Sequence, residues 1–237
     1  ARAQGGLVIA QANPNMPYTY GDAQIYESEI DYLIEVDDPL EYHTAGQGDA
    51  VSASIGESIA ARVTDHSTLQ LGIGAVPDAV LAQLTHRKGM RIWTEMFSDG
   101  VLEMHRKGAL DPDVPITASF VFGSAELYEW MDRNKKVRMM RTEYTNNPGK
   151  IEKQANMTSV NGALQVDLFD QANASRINGK IYSGFGGSTD FIVGALHARG
   201  GQAFIALKSW HPKANVSTIV PIITEPVTSF RHSAVAT

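Results

Sequence analysis

Apolar and polar positions change their period along the chain, and these changes predict alternating strands and helices. Short apolar runs, typical of buried strands, are followed by stretches in which apolar residues recur every three or four positions, as on one face of a helix. Strands are predicted at 7–12, 30–36, 68–71, 90–93, 116–122 and 137–140, and helices at 49–63, 77–84, 101–107 and 125–132. Such alternation predicts an α/β fold with a mainly parallel open sheet and flanking helices.

The first of these helices carries a stripe of apolar residues at helical spacing, formed by Val51, Ile55, Ile59 and Val63. Before it, residues 37–48 are acidic, contain Pro and Gly, and have the character of a linker.

The last third of the chain contains less helix. Strands are predicted at 157–167, 180–183, 202–207 and 216–221, and one helix at 189–197. The final residues, 233–237, have the pattern of a strand that is cut off while still running, so we expect the chain to be a piece of a longer protein.

Composition narrows the function more than the fold. The 237 residues carry a formal net charge of -6 without a block of Lys or Arg, which argues against a nucleic-acid-binding protein. The absence of cysteine excludes disulfides, thiolate metal sites and a cysteine nucleophile. Because no apolar run is long enough to cross a bilayer and the start of the chain lacks a signal-peptide layout, we expect a cytoplasmic protein without membrane association. The seven histidines show no metal-ligand spacing, so no metal site is predicted.

Glu95 is the first candidate for chemistry. It lies between the predicted strand 90–93 and the predicted helix 101–107, and Ser98 and Asp99 are candidates for the N-cap of that helix. Loops at the carboxyl ends of parallel strands converge on a crevice, and a carboxylate placed there can act as a covalent nucleophile. By position alone, the favoured interpretation of Glu95 is a polar loop residue that caps the next helix, and the other motifs have to decide between the two.

Two glycine-rich turns precede predicted helices. Gly72 and Gly74 form half of a dinucleotide-binding fingerprint, but Pro77 stands where a third glycine is required, so NAD binding is not predicted. The second turn contains Gly184, Gly186 and Gly187. Glycines at such a turn let backbone amides face an anion or an oxyanion. The alternatives are a tight turn without a ligand at 72–77, and a glycine-rich turn at 184–187 with Asp190 as a simple helix cap.

Residues 145–148, Thr-Asn-Asn-Pro, have the composition of a turn. Alone, they predict nothing more than a turn. An Asn side chain at this place could also donate a hydrogen bond to a carbonyl oxygen.

Together these motifs resemble one known family. The runs LQLGIGAVPDAV at 69–80, TEMFSDG at 94–100, TNNP at 145–148 and SGFGGSTDF at 183–191 occur in this order in the acetyl-CoA hydrolase/transferase family, which includes 4-hydroxybutyrate, butyrate and acetate CoA-transferases. The resemblance implies the fold of class I CoA-transferases. It further implies that residues 1–45 are the tail of a first domain with its linker, and that residues 46–237 are most of the second, catalytic domain, truncated at its end.

The same resemblance implies roles for particular residues. Glu95 matches the catalytic glutamate, which attacks an acyl-CoA thioester and becomes a glutamyl-CoA thioester. Asn146 and the amide of Gly187 match groups that stabilise the oxyanion, with Gly184 and Gly186 in the same loop, and Gly72 and Gly74 line the same crevice. Coenzyme A is then a substrate and not a permanently bound cofactor. The implied partners are an acyl-CoA, a small carboxylate and further copies of the chain in a homo-oligomer, a dimer or larger.

Two positions depart from the family pattern. Gln165 stands where many relatives have an acidic residue, and Ser188 stands where Gln is common. Both departures leave the acceptor carboxylate open.

The leading hypothesis is a CoA-transferase that acts through Glu95. The first alternative is an acyl-CoA hydrolase on the same scaffold, in which water intercepts the covalent intermediate. The second is a non-catalytic CoA-binding module.

Overall fold

The computed structural model describes residues 4–43, 48–184 and 186–226, together with the backbone of 228–229 and 234–236. Parts of three predicted segments lie outside the described residues, namely 44–47 of the linker, Phe185 of the second glycine turn, and 233 and 237 at the ends of the last predicted strand.

Helices and strands alternate over most of the chain, as the hydrophobic pattern predicts. The helices are α1 Ala50–Ala60, α2 Ala75–Leu84, α3 Asp99–Arg106, α4 Ala125–Met131, α5 Thr142–Thr145, α6 Pro148–Ile151 and α7 Ser188–His197. The strands of the first half are β1 Ile9–Ala12, β2 Tyr20–Gly21, β3 Tyr32–Glu35, β4 Thr68–Leu71, β5 Arg91–Ile92, β6 Met96–Phe97, β7 Ile116–Ala118, β8 Phe120–Val121 and β9 Val137–Met139. Those of the second half are β10 Met157–Gly162, β11 Gln165–Asp167, β12 Gln171–Asn173, β13 Arg176–Ile177, β14 Lys180–Ile181, β15 Gln202–Ala206, β16 Trp210–His211, β17 Val216–Ser217, β18 Ile219–Val220, β19 Thr228–Ser229 and β20 Ala234–Ala236.

A parallel sheet of five strands lies at the centre, in the order β20-β15-β10-β4-β5. An isolated parallel bridge between Trp93 and Thr117 connects its edge to the parallel group β7-β9-β2. A smaller mixed sheet, β18-β11-β12-β19, follows later in the chain. The mainly parallel α/β architecture is therefore confirmed.

Both faces of the central sheet are covered, and β15 shows how. Phe204 and Ala206 pack in the same core cluster as residues of α1 to α4, whereas Ala203 and Ile205 pack in a second cluster with residues of α6 and α7. Because successive side chains of a strand point to opposite faces, this alternation places helices on both sides of the sheet.

Helix α1 begins where predicted but buries a different face. Asp49 caps it by accepting hydrogen bonds from the amides of Val51 and Ser52. The prediction that Val51 joins the buried stripe is wrong, since its side chain is 51% exposed, whereas Ser52 is fully buried. The hydroxyl of Ser52 also bonds to Asp49, so the cap satisfies its polar group and lets it take the inward position.

Two long strand predictions are wrong in their continuity. The run 116–122 forms β7 and β8, broken at Ser119, whose amide donates to the carbonyl of Glu95. The run 157–167 forms β10 in the central sheet and β11 in the smaller sheet. In both cases the chain leaves one set of backbone partners for another, which hydrophobicity does not reveal.

Among the described residues, no helix combines the length and the apolar composition needed to cross a bilayer.

Helices α1 and α2 pack closely at Gly56. A β-carbon at this position would lie 2.8 Å from the carbonyl carbon and oxygen of Ala79, which are backbone atoms that cannot turn aside. We therefore expect Gly56→Ala to lower the free energy of unfolding by about 1–3 kcal/mol through overpacking. Urea unfolding followed by circular dichroism measures this change. Ser54→Ala, on the exposed side of the same helix, is the control, and an equal loss in both variants would contradict the packing argument.

Candidate active site

Glu95 lies between the end of β5 and the start of β6, and its backbone is held on both sides. Its carbonyl accepts hydrogen bonds from the amides of Ser119 (2.8 Å) and Phe120 (3.0 Å). The hydroxyl of the preceding residue, Thr94, is buried and lies 2.8 Å from the carbonyl of Met96 and 3.2 Å from that of Leu71. The half-buried Glu95 side chain therefore projects from a backbone segment with little freedom.

Asn146 lies between the short helices α5 and α6, so the predicted turn is a junction of two helical turns. Its side-chain oxygen accepts a hydrogen bond from the hydroxyl of Thr145 (2.8 Å). The carbonyl of Thr145 accepts a further bond from the indole nitrogen of Trp93 (2.9 Å), two residues before Glu95. The amide nitrogen of Asn146, Nδ2, therefore points away from Thr145 and lies beside Gly187.

Gly187 is the residue at which these two side chains meet. It is buried and precedes the first turn of α7. A β-carbon at this position would collide with Oε2 of Glu95 and with Nδ2 of Asn146. The structure thus brings together Glu95, Asn146 and Gly187, the three residues for which catalytic roles were predicted, although they come from three separate segments.

The helix that begins at Gly187 is held directly against the Asn146 segment. Gly194 of α7 packs on α6 so closely that a β-carbon would lie 2.5 Å from the Cβ and Cγ2 atoms of Ile151. Because α6 begins two residues after Asn146, this contact sets the position of Gly187 relative to the Asn146 amide.

A pocket of about 310 Å³ opens beside these residues. Its lining residues are Gln70, Leu71, Gly72, Thr94, Glu95, Met96, Phe120, Asn161, Gly162, Ala174, Gly186, Gly187, Ser188 and Phe191.

Two side-chain amides on the sheet, Gln70 and Asn161, add polar groups to this wall. Both bond to each other and to the hydroxyl of Ser159, which donates to Gln70 (2.6 Å). The pocket is of a size that admits a small acyl group or carboxylate beside Glu95.

The remaining predicted site residues are divided by the structure. Gly72 and Gly186 line the pocket, and Gly186 has a φ of 61° that favours glycine. Gly74, directly before α2, and the exposed Gly184 are not part of the pocket wall. Pro77 lies in the first turn of α2, where its missing amide hydrogen costs no helical bond.

The two positions that depart from the family pattern also separate. Ser188 lines the pocket, whereas Gln165 lies in β11 and its side-chain oxygen faces the amide of Asn173 at 3.4 Å.

Of the two cap candidates, Ser98 occupies the N-cap position of α3, but its hydroxyl donates to Asp78 and not to the helix. Asp99 is the first helical residue, and its carboxylate accepts a hydrogen bond from the amide of Ser124 at the start of α4. Capping of α3 therefore does not explain Glu95, whose side chain points to Gly187.

A larger and mainly apolar cavity of about 410 Å³ lies nearby and shares Phe120 with the first pocket. Its wall contains none of the predicted site residues. In the part of the chain that the structure describes, no group of three His, Asp or Glu side chains is arranged to hold a metal ion.

The electrostatics of the site involve a second carboxyl group, that of Asp190 in the first turn of α7. Burial raises the pKa of Asp190, and the negative charge of Glu95 raises it further. Asp190 is thus close enough to Glu95 to sense its charge, and it does not occupy the N-cap position, which belongs to Gly187.

Sequence reasoning missed the polar groups that surround the three central residues. Gln70 carried a usable signal, because it is a polar residue near the carboxyl end of the predicted strand 68–71. Asn161 lies in the middle of the predicted strand 157–167, and only the observed end of β10 at Gly162 places it near a carboxyl end. Ser119 and Thr145 carried none, since their roles depend on contacts between distant segments.

Comparison with known proteins shows which proteins this chain resembles. The model of the acetyl-CoA hydrolase/transferase C-terminal domain matches residues 123–237. A 4-hydroxybutyrate coenzyme A transferase from Clostridium kluyveri is 43% identical over 224 residues, which are 92% of this chain and 52% of the relative. The crystal structure of a 4-hydroxybutyrate CoA-transferase from Porphyromonas gingivalis superposes with a TM-score of 0.84 at 35% identity, covering 97% of this chain and 56% of that one. RipA from Yersinia pestis gives a TM-score of 0.89 at 32% identity, covering 96% and 53%.

An α/β chain with these motifs in this order, and with these relatives, has the architecture of a CoA-transferase. The chain belongs to the acetyl-CoA hydrolase/transferase family. It spans about half the length of the curated relatives it matches.

The interaction between Glu95 and Asp190 can be tested directly. In Glu95→Gln the negative charge is removed, so we expect the pKa of Asp190 to fall toward its ordinary value but to stay above it, because burial is the larger cause of the shift. Because the pKa of Asp190 is higher in the folded than in the unfolded state, the free energy of unfolding falls as the pH rises from the unfolded-state pKa to the folded-state pKa. A lower folded-state pKa in Glu95→Gln should therefore narrow the pH range over which this loss occurs. Carboxyl ¹³C NMR titration measures the pKa, with Asp190→Asn to assign the signal.

Asp167 provides the internal control. Burial acts to raise its pKa, but hydrogen bonds from the amides of Ile223 and Gln171 lower it overall, and Glu95 is not among the causes. An unchanged Asp190 pKa in Glu95→Gln would show that the two carboxyl groups do not interact.

Proposed function

We propose that the protein containing this chain is a CoA-transferase that moves CoA from an acyl-CoA to a small carboxylate, with Glu95 as the covalent nucleophile. The observation that carries the proposal is the meeting of Glu95, the Nδ2 of Asn146 and the backbone of Gly187 around one space without a side chain. A carboxylate is a weak nucleophile in water, and partial burial beside a pocket is the environment in which it can attack a thioester.

The first step forms an anhydride. A carboxylate oxygen of Glu95 attacks the carbonyl carbon of the acyl-CoA, and the carbonyl electrons move onto the oxygen. Asn146 Nδ2 and the amide of Gly187 donate hydrogen bonds to that oxyanion. When the tetrahedral intermediate collapses, the carbon–sulfur bond breaks, CoA leaves as a thiolate, and the acyl group remains bound to Glu95 as a mixed anhydride.

The second half transfers CoA. The CoA thiolate attacks the Glu95 carbonyl carbon of the anhydride, which releases the donor carboxylate and leaves a glutamyl-CoA thioester. The acceptor carboxylate then attacks this thioester and displaces the thiolate, which in turn attacks the acceptor carbonyl of the new anhydride. The products are a new acyl-CoA and free Glu95 carboxylate, so all atoms and charges balance.

The pocket wall supports a small polar acceptor. Gln70 and Asn161 place side-chain amides in the same pocket as Glu95, and Phe120 adds an apolar surface. The relatives named as 4-hydroxybutyrate CoA-transferases use a short acid of this kind. We therefore propose that a short-chain carboxylate is the acceptor, and that the assembly is a homo-oligomer of the complete polypeptide with residues 46–237 as its catalytic domain.

A hydrolase is the second candidate, because the matched family includes hydrolases beside transferases. Water would then attack the anhydride or the glutamyl-CoA thioester in place of the acceptor. Incubation of the complete protein with an acyl-CoA, with and without acetate, separates the two activities. CoA release that does not depend on the acceptor would contradict the transferase.

Covalent trapping tests the nucleophile itself. Borohydride reduces a glutamyl thioester to an alcohol, so treatment of the complete protein in the presence of acyl-CoA should inactivate it and change the mass of the peptide that contains Glu95. We expect Glu95→Gln to lower kcat by at least about a thousandfold, as loss of the nucleophile does in other covalent enzymes, and to abolish the modification.

Glu103→Gln, at a half-exposed position on α3 in an ion pair with Lys107, is the matched control and should be modified at Glu95 like the wild type. Retained turnover in Glu95→Gln, or a modification at another residue, would overturn the covalent role of Glu95.

A further inference from the structure

A chain of hydroxyl groups lies behind the Asn146 amide. The hydroxyl of Ser119 is hydrogen-bonded to the hydroxyl of Thr145, which is bonded in turn to the side-chain oxygen of Asn146 (2.8 Å). Thr145 is fully buried, whereas Ser119 is half-buried. These two residues come from different parts of the chain, between β7 and β8 and at the end of α5, and none of the motifs that predict the site includes Ser119.

The direction of these bonds follows from the number of protons. Thr145 has one hydroxyl hydrogen, and an amide oxygen can only accept. If that hydrogen goes to Asn146 Oδ1, Thr145 must accept from Ser119, which donates. The chain of donors therefore runs from Ser119 to Thr145 to Asn146, and its end is the oxygen side of the Asn146 amide.

This direction decides which end of the amide faces Glu95. With Oδ1 held by Thr145, the donor Nδ2 faces Oε2 of Glu95 beside Gly187. In the opposite orientation, Nδ2 would donate to Thr145 and Oδ1 would face the Glu95 carboxylate, which places two acceptors against each other and removes the oxyanion donor. The carbonyl of Thr142, 3.3 Å from the Thr145 hydroxyl, is the competing acceptor.

Further hydrogen bonds connect Ser119 and Thr145 to the segment that carries Glu95. The amide of Ser119 donates to the carbonyl of Glu95 (2.8 Å), and the indole of Trp93 donates to the carbonyl of Thr145 (2.9 Å). The hydrogen bonds thus run from the Glu95 backbone through Ser119 and Thr145 to Asn146, whose Nδ2 lies beside Gly187 together with Oε2 of Glu95. A shift of Glu95 therefore also shifts the group that orients its oxyanion donor.

We propose that Ser119 and Thr145 are positioning residues that hold the Asn146 amide with Nδ2 toward the reacting carbonyl. This inference rests on the proposed function, in which Asn146 stabilises the oxyanion. Neither residue lines the pocket beside Glu95. Their effect on the reaction passes through the orientation of Asn146, which distinguishes them from threonine and serine residues that only fill space.

The experiment measures kcat and KM of the complete enzyme for Thr145→Val, Thr145→Ser, Ser119→Ala, Asn146→Ala and the double variant Thr145→Val/Asn146→Ala. Valine keeps the shape of threonine and removes the hydroxyl. Removal of one oxyanion donor lowers kcat about 10²–10³-fold, so Asn146→Ala should show a loss of this size. In Thr145→Val, kcat should fall about 10- to 100-fold, which is less than the loss in Asn146→Ala because the amide is misoriented but still present. The KM for acyl-CoA should stay nearly unchanged.

Three results distinguish positioning from packing. Thr145→Ser restores most of the lost kcat because it restores the hydroxyl, although it packs less well. The double variant is no slower than Asn146→Ala, since Thr145 acts only through Asn146. Ser119→Ala shows a smaller loss in the same direction. Thr85→Val, the same change at the end of α2, leaves kcat unchanged.

The inference is wrong if Thr145→Val keeps full kcat, or if the losses from Thr145→Val and Asn146→Ala multiply in the double variant. If Thr145→Val does not fold, as judged by thermal unfolding, Ser119→Ala and its double variant with Asn146→Ala decide by the same criterion. Glu95→Gln is measured in parallel, because retained turnover in that variant would contradict the proposed function and not the positioning role alone.

Discussion

The space between the Glu95 carboxylate and the Asn146 amide can be kept open only by a residue without a side chain, and Gly187 is that residue. A β-carbon there would occupy the place of both groups. In the proposed function, the backbone of Gly187 can in this way approach a reacting carbonyl from the same side as Asn146. The rest of the structure holds the segments that carry Glu95, Asn146 and Gly187 close together around this space.

Two features of the fold supply that rigidity. Strand β5 of the parallel sheet ends shortly before Glu95, and hydrogen bonds from the amides of Ser119 and Phe120 hold the carbonyl of Glu95 in place. On the other face, the contact of Gly194 with Ile151 presses α7 against α6 and joins the Gly187 and Asn146 segments. The site therefore depends on two glycines. Gly187, at the N-cap of α7, leaves the space between Glu95 and Asn146 open, and Gly194, within α7, permits close packing against α6.

Much of the fold is predictable from the sequence because burial leaves a periodic signal. Strand β4 matches its predicted bounds, and α2, α4 and α7 begin or end within a few residues of the predicted positions. Breaks such as the one at Ser119 are not predictable in this way, since they depend on which strand the backbone pairs with. Val51 shows a further limit, because the Asp49 cap lets the small polar Ser52 take the buried position.

The central residues of the site were predictable because each belongs to a motif of recognisable composition, and the family resemblance joined those motifs. The residues behind them were not. Thr145 belongs to the Thr-Asn-Asn-Pro run, but its bond to Ser119 joins positions that only the folded chain brings together. Gly74 and Gly184 illustrate the converse, as they belong to the predicted turns and yet lie outside the pocket wall.

Replacement of Gly187 by Ala probes the shared space between Glu95 and Asn146. The atoms that an added methyl group meets are the ends of two side chains that can move aside, so the protein should still fold. Because Glu95 and Asn146 would then be displaced from each other, we predict that kcat of the complete enzyme falls at least about a hundredfold, comparable to loss of an oxyanion donor, while Gly48→Ala, which adds a methyl group in open space, has no effect. Wild-type kcat in a folded Gly187→Ala protein would contradict the role assigned to the shared space between Glu95 and Asn146.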